Sequence, residues 1–145
     1  MPDMSRSMGL DVGDKRIGIS ISDPSQTLAT PLKTILRKSD DITFSEILGL
    51  IKKYKVSKLI IGMPFSLNGS VGKQAEKVLK FKSGLQEQTQ IDIIMQDERL
   101  SSVTANQRLR EAGKKGDKLK NGIDSAAATV ILQCYLDTLD QGTST

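Results

Sequence analysis

The apolar residues of this chain change their period part-way along, and that change sets its architecture. In Lys15–Ser22, Ile17, Ile19 and Ile21 alternate with Arg16, Gly18 and Ser20, the period of two expected of a half-buried strand. Ser7–Val12 precedes it across a short Gly-Asp-Lys connection, which predicts an antiparallel hairpin. A third strand is expected over Thr27–Leu36, with Pro31 marking an edge or irregular position. From Phe44 the spacing becomes helical: Phe44, Ile47, Leu48, Ile51 and Tyr54 share one stripe, with Asp40, Asp41 and Thr43 as capping candidates.

The remainder alternates between the two periods. Lys58–Gly62 is a short apolar run suited to a central strand covered on both faces. A turn-rich loop follows, over Gly62–Gly72. Ala75, Val78, Leu79, Phe81 and Leu85 outline a second helix, and Ile91–Met95 another strand. Asp97, Glu98 and Arg99 are placed just past its C-terminal end. Ser101 and Ser102 are positioned to cap a helix running to about Ala112. A basic loop is expected over Gly113–Gly122, then a last helix from about Ile123 to Leu139. The order β-β-β-α-β-α-β-α-α predicts an α/β fold with a mixed five-stranded sheet. Its first three strands form an antiparallel meander, its later strands are parallel with right-handed crossovers, and helices cover both faces. One domain is expected over residues 7–140, with 1–6 and 141–145 as flexible termini and Met8 as a second possible start. Ligands in such folds gather beyond the C-terminal ends of parallel strands.

Composition narrows the chemistry. There is no histidine, which removes Ser-His-Asp and Cys-His catalysis, imidazole bases and HExxH zinc sites. The single cysteine, Cys134, lies in an apolar helical run and reads as buried filler; it permits neither an internal disulfide nor a multi-thiolate metal site. Aromatic residues are 3% of the chain, so base-stacking platforms are scarce. Lys and Arg number 21 against 17 Asp and Glu, a net charge of +4 that is compatible with a nucleic-acid partner, although net charge alone favours a solvated basic surface. The N-terminal MPDMSRSMGL has no apolar signal core, and no run approaches the length of a membrane span, so the expected location is cytoplasmic, with no membrane partner. What remains for catalysis is carboxylates, hydroxyls, lysines, arginines and oxygen-ligated metals.

Three acids stand out by position. Asp11 ends the first strand among glycines, Glu98 follows a hydrophobic strand, and Asp124 shares the sheet-facing stripe of the last helix with Ala127, Ala128, Ile131 and Tyr135. Each has a plain structural role open to it: a turn residue, a surface ion-pair partner, an N-terminal helix charge. Gathered at one rim they repel one another, and one or two divalent cations would hold them ionised together. Oxygen ligands without His or Cys select Mg²⁺ or Mn²⁺ over zinc. A carboxylate-only site in a basic protein points to phosphodiester hydrolysis with a pair of metal ions. Arg16 and Arg99 adjoin these acids and are either phosphate clamps or structural ion-pair partners. Residues 108–120 carry Arg108, Arg110, Lys114, Lys115, Lys118 and Lys120 against Glu111 and Asp117, a local excess that suits a grip on a phosphate backbone.

These residues resemble a known family. Gly9-Leu10-Asp11-Val12-Gly13, with Arg16-Ile17-Gly18 and Ser22-Asp23, is similar to the opening motif of the YqgF/RuvX family. Gly62-Met63-Pro64 with Gly69, Gly72 and Ala75 also agrees, as do Asp97-Glu98-Arg99 with Ser101 and Ala105, and Ile123-Asp124 with Ala126-Ala127 and Ile131-Leu132-Gln133. The four segments lie in register from about Met8 to Asp137. The resemblance implies an RNase H-like fold and Asp11, Glu98 and Asp124 as metal-binding catalytic acids. It also implies a Mg²⁺- or Mn²⁺-dependent nuclease acting on structured nucleic acid, as monomer or homodimer. The expected substrate is pre-16S rRNA, or alternatively a Holliday junction. The Asp11-x-Gly13 hairpin with Ser22-Asp23 further resembles the phosphate-binding hairpin of actin-like and sugar-kinase ATPases. Those need two such domains, where this chain supplies one. A non-catalytic nucleic-acid-binding module is the third reading.

Overall fold

A computed structural model describes residues 5–64, 72–97 and 116–143, with side chains in the last segment described over 126–139. Five strands, β1 (Arg6–Val12), β2 (Arg16–Ser22), β3 (Ala29–Leu36), β4 (Val56–Met63) and β5 (Asp92–Asp97), form one sheet in the order β3-β2-β1-β4-β5. β1 pairs antiparallel with β2, and β2 with β3; β1 and β4, and β4 and β5, are parallel. The expected α/β architecture, a mixed sheet opening in an antiparallel meander, is therefore present. Helix α1 (Asp40–Tyr54) crosses between β3 and β4, and α2 (Lys73–Gln86) between β4 and β5. The third described helix, α3, runs over Gly116–Thr143. The helix expected from Ser101 to about Ala112 lies outside the described residues, as does most of the Gly62–Gly72 loop.

Strand alternation sorts the side chains between two cores. Met8, Leu10, Val12, Ile17, Ile19, Leu59 and Ile61 point to one face, where α1 and α2 cover them with Phe44, Ile47, Ala75, Val78, Phe81 and Leu85. Phe44 and Phe81 meet edge to face, with ring centroids 5.1 Å apart. Ile60, Ala29, Ile131, Leu132 and Leu136 form the core on the opposite face, beneath α3.

The opposite face of β2 corrects the half-buried expectation. Ser20 is 0% exposed and Ser22 2%, so β2 is covered on both sides. The residues that read as a solvent face are small because a helix rests on them. Ser20 Oγ donates to the Ala128 carbonyl at 2.7 Å. A Cβ on Gly9 would collide with Ser20 Oγ and would lie 2.7 Å from the Ala128 carbonyl and 2.9 Å from Leu132 Cβ. Further along, the Gln133 side-chain amide accepts from Ala29 N–H at 2.9 Å and donates to the Thr27 carbonyl at 3.0 Å. The helix is thus keyed to the sheet at two levels.

Several boundaries differ from expectation for local reasons. The N-cap of α1 is Ser39, extended at φ −72°, ψ 159°, with its hydroxyl accepting from Ile42 N–H; Asp40 and Asp41 occupy the first turn instead. Asp97 belongs to β5, held by pairing with Met63, rather than following the strand. Helix α3 begins at Gly116, not near Ile123, so Lys118, Lys120 and Gly122 are helical where a loop was expected. Asp124 therefore lies within the helix and does not open it. Regular structure also starts at Arg6 and runs to Thr143, slightly beyond residues 7–140. Among the described residues no helix is long and apolar enough to cross a membrane.

Because the Gly9 position has no room to spare, Gly9→Ala must push α3 off the sheet or distort β1. The expected cost is about 1–3 kcal/mol, the range for overpacking a core. Chemical denaturation with the slope unchanged would measure it.

Candidate active site

Asp11 is the next-to-last residue of β1. Alternation places it, with Ser7 and Gly9, on the α3 side of the sheet, whereas Leu10 and Val12 enter the other core. Its two neighbours across the sheet lack side chains. Gly18 of β2 is its register partner. On the other side, Leu10 pairs with Ile61, so continuing the register sets Asp11 beside Gly62. The carboxylate thus belongs to a rung flanked by glycines.

The same rung extends to the edge. Gly62 pairs with Gln96 of β5, and Met63 with Asp97. β1 and β5 are two strand spacings apart, about 10 Å. β5 therefore ends near the level of Asp11. Arg16 begins β2 and shares the face of Gly18 and Ser20, diagonal to Asp11 across the hairpin. The turn between them is tight: Gly13 N–H donates to the Arg16 carbonyl at 2.9 Å, and a Cβ on Gly13 would lie 2.8 Å from that oxygen.

Helix α3 descends on this face toward the same end. Gln133 engages Thr27 and Ala29, near the start of β1; Ala128 lies over Gly9 and Ser20. One helical turn advances about 5.4 Å and two strand residues about 6.6 Å. The backbone at position 124, one turn before Ala128, consequently continues toward the level of Asp11. Among the described residues no three potential metal ligands cluster. Glu98, Arg99, Lys114 and Lys115 lie outside the described residues. At Lys118, Lys120 and Asp124 the backbone alone is described. The oxygen-donor chemistry of the Asp11 carboxylate suits a hard divalent cation.

The Ser22-Asp23 part of the opening motif has a different use. Ser22 Oγ accepts from Ser7 N–H at 2.8 Å and donates to the Asp23 carbonyl at 3.0 Å. The Asp23 carboxylate accepts from Ser25 Oγ at 2.7 Å, Thr27 N–H at 2.8 Å, Thr27 Oγ1 at 3.0 Å and Leu28 N–H at 3.2 Å. It closes the β2–β3 loop, and these donors, led by the Ser25 hydroxyl and the Thr27 amide, hold its pKa far below the usual carboxylate range. Both side chains are engaged within the strand and its loop. Periodicity gave no sign of this role, although Asp followed by Ser and Thr is a recognisable loop-closing signal. Gln133 was likewise not singled out by residue chemistry. A cavity of about 350 Å³, lined by Gln26, Thr27, Lys58 and Asp137 among others, opens at the start of β1, the opposite end of the sheet from Asp11.

The chain resembles known proteins along most of its length. The family model RuvX, described as Holliday junction resolvase, matches residues 5–138. A Caldanaerobacter subterraneus subsp. tengcongensis protein named "Putative pre-16S rRNA nuclease" is 46% identical over 134 residues, covering 92% of this chain and 96% of its own. A Clostridium botulinum (strain Hall) protein of the same name is 44% identical over 136 residues, covering 94% and 99%. Among solved structures, Thermus thermophilus RuvC in complex with a Holliday junction substrate superposes with a TM-score of 0.63 at 11% identity, covering 96% of this chain and 97% of that one. Fowlpox virus resolvase with Holliday junction DNA gives 0.57 at 11%, covering 92% and 98%. At that identity the structural likeness establishes a common fold.

A pH prediction follows from Asp23. Its folded pKa lies far below the unfolded value of about 3.9, so its contribution is complete above that value and is lost progressively as pH falls from there toward the folded pKa. Amide exchange at Thr27 and Leu28, corrected for intrinsic rates, is expected to keep its protection down to about pH 4 and to lose it progressively at lower pH, and Asp23→Asn to remove that dependence.

Proposed function

This chain belongs to the RuvX family, and from that premise we propose that it is a divalent-metal-dependent endonuclease that hydrolyses phosphodiester bonds in structured nucleic acid. Its task on this reading is 5′-end processing of pre-16S rRNA. The observation that carries the proposal is the rung at Asp11: a carboxylate between two glycines, at the end of β1, on the face that α3 descends. The names of the relatives at 44–46% identity support the rRNA substrate.

Asp11, Glu98 and Asp124 are the proposed ligands, and Mg²⁺ or Mn²⁺, two ions, the proposed cofactor. Bound there, the ions supply a nucleophilic hydroxide from water and neutralise the leaving oxygen. The chain does the rest. Asp11 and its partner carboxylates would hold the cations through their charged oxygens. Arg16 and Arg99 orient the scissile phosphate through the paired N–H groups of the guanidinium. Lys114, Lys115, Lys118 and Lys120 contact the phosphate backbone alongside and confer affinity without sequence preference. No imidazole is required in this scheme, in keeping with a chain that has none. One domain spanning residues 7–140 carries the whole of it. The chain is proposed to act in the cytoplasm, as monomer or homodimer.

A second reading, resolution of branched DNA, is favoured by the description of the family model. It needs the same acids, and a two-fold junction favours a symmetric dimer. Cleavage of pre-rRNA fragments and four-way DNA junctions, compared side by side with Mg²⁺ or Mn²⁺, separates the two.

Asp11→Asn is expected to abolish cleavage while leaving folding and nucleic-acid binding largely intact, and chelation of divalent ions to do the same reversibly; near-normal turnover by the variant would refute the assignment. Replacing Lys114 and Lys115 with Gln is expected to weaken binding to every sequence. The slope of log affinity against log salt should fall by about 0.7–0.9 for each phosphate that is no longer neutralised.

A further inference from the structure

The turn that follows Asp11 is held from outside by a side chain that the nuclease scheme leaves unused. Arg37 lies just past β3, and its Nη1 donates to the Gly13 carbonyl at 2.9 Å. Its own backbone N–H donates to the Lys15 carbonyl at 2.8 Å. Its guanidinium lies over the Phe81 ring, 5.2 Å from the centroid, and its Nη2 reaches Asp40 Oδ1 at 3.4 Å.

These contacts are unequal. The Asp40 carboxylate is 68% exposed and the pair is long, so it contributes little. The Lys77–Asp14 pair on the same turn is also 3.4 Å long, with both side chains mostly exposed, and is equally weak. By contrast, the bond to Gly13 is short and charge-assisted. Stacking on Phe81, itself packed edge-on against Phe44, sets the plane of the guanidinium that makes it. The tip of the hairpin, Asp14 and Lys15, is exposed and has no core of its own to order it. Arg37 therefore grips both sides of that tip: Gly13 through the side chain and Lys15 through the backbone.

We propose that Arg37 is a positioning residue for the Asp11 site, tethering the β1–β2 turn so that Asp11 and Arg16 hold a fixed mutual geometry. The inference rests on the nuclease reading for its consequence, and on the hydrogen bonds alone for the tether. Small displacements near reacting groups are costly; a shift of about 1 Å can lower a rate a hundredfold. Lysine keeps the cation but lacks the planar fork that joins Gly13 to Phe81.

The test compares the wild type with Arg37→Gln, Arg37→Lys and Asp40→Asn. The readouts are metal-supported cleavage of a four-way DNA junction and a pre-rRNA fragment, thermal melting, and amide exchange at Gly13, Arg16 and Arg37. Arg37→Gln is expected to lower kcat roughly tenfold or more with KM unchanged, and to speed exchange at the turn alone. Arg37→Lys should fall between, and Asp40→Asn should match the wild type. Wild-type kcat and exchange in Arg37→Gln would overturn the proposal, as would accelerated exchange spread over the whole sheet. If Arg37→Gln does not fold, Arg37→Lys decides by the same two readouts, wild-type behaviour again overturning the tether. A wild type that cleaves neither substrate would sink the nuclease reading instead, and exchange at the turn would still decide whether Arg37 holds it.

Discussion

The docking of α3 onto the floor made by Gly9 and Ser20 governs the rest of the molecule. A buried hydroxyl–carbonyl bond contributes only about 1 kcal/mol net, so its strength is not the point. What matters is the closeness it records: the helix backbone rests against β1 and β2 with no room for a single extra carbon at position 9. Small residues alone permit that approach, and Gly9, Gly18, Ser20 and Ser22 all lie on this side of the sheet. The approach sets the level of the helix along the strands, and hence which helical turn arrives beside the end of β1. Slippage of α3 by one turn would break the Ser20–Ala128 bond and would strand Gln133 from Thr27 and Ala29.

The two ends of the sheet divide the work. At the start of β1 the polar groups are consumed internally: Ser7 Oγ donates to Gln26 at 2.6 Å, Ser22 receives the Ser7 amide, Asp23 closes its loop, and Gln133 bonds the first residues of β3. Among the described residues no buried side-chain nitrogen or oxygen is left without a partner. At the other end the sheet offers glycines, a carboxylate and a hairpin tip. Satisfied polar structure at one pole anchors α3 against the sheet, and the proposed site lies toward the other. The Arg37 tether extends that anchoring to the hairpin tip, which lies outside both cores.

Much of this was legible from local patterns. The isoleucine alternation of β2, the apolar run of β4 and the stripes of α1 and α2 each name their element, because periodicity survives without tertiary context. Asp11 was legible for a similar reason, as an acid among glycines at the end of a strand. What escaped was anything set by a partner distant in sequence. The small face of β2 reads as solvent-facing until α3 is laid upon it. Ser39 outranks Asp40 as a cap because only the backbone conformation there suits the position. The early start of α3 escaped because its first two turns carry lysines and two glycines in place of an apolar stripe.

The amino-acid sequence on its own determined the order of strands and helices, the absence of imidazole and thiolate-cluster chemistry, the family, and the acids worth suspecting. Those properties reside in composition and in short repeating spacings, which need no folded neighbour to be read. Tertiary structure alone decided which face of β2 is buried, how far down the sheet α3 sits, and that Asp23 and Gln133 are structural clamps. It likewise decided that Arg37 reaches back to Gly13. Each of these is a contact between segments far apart in the chain, and only the packing of the whole sheet sets its distance.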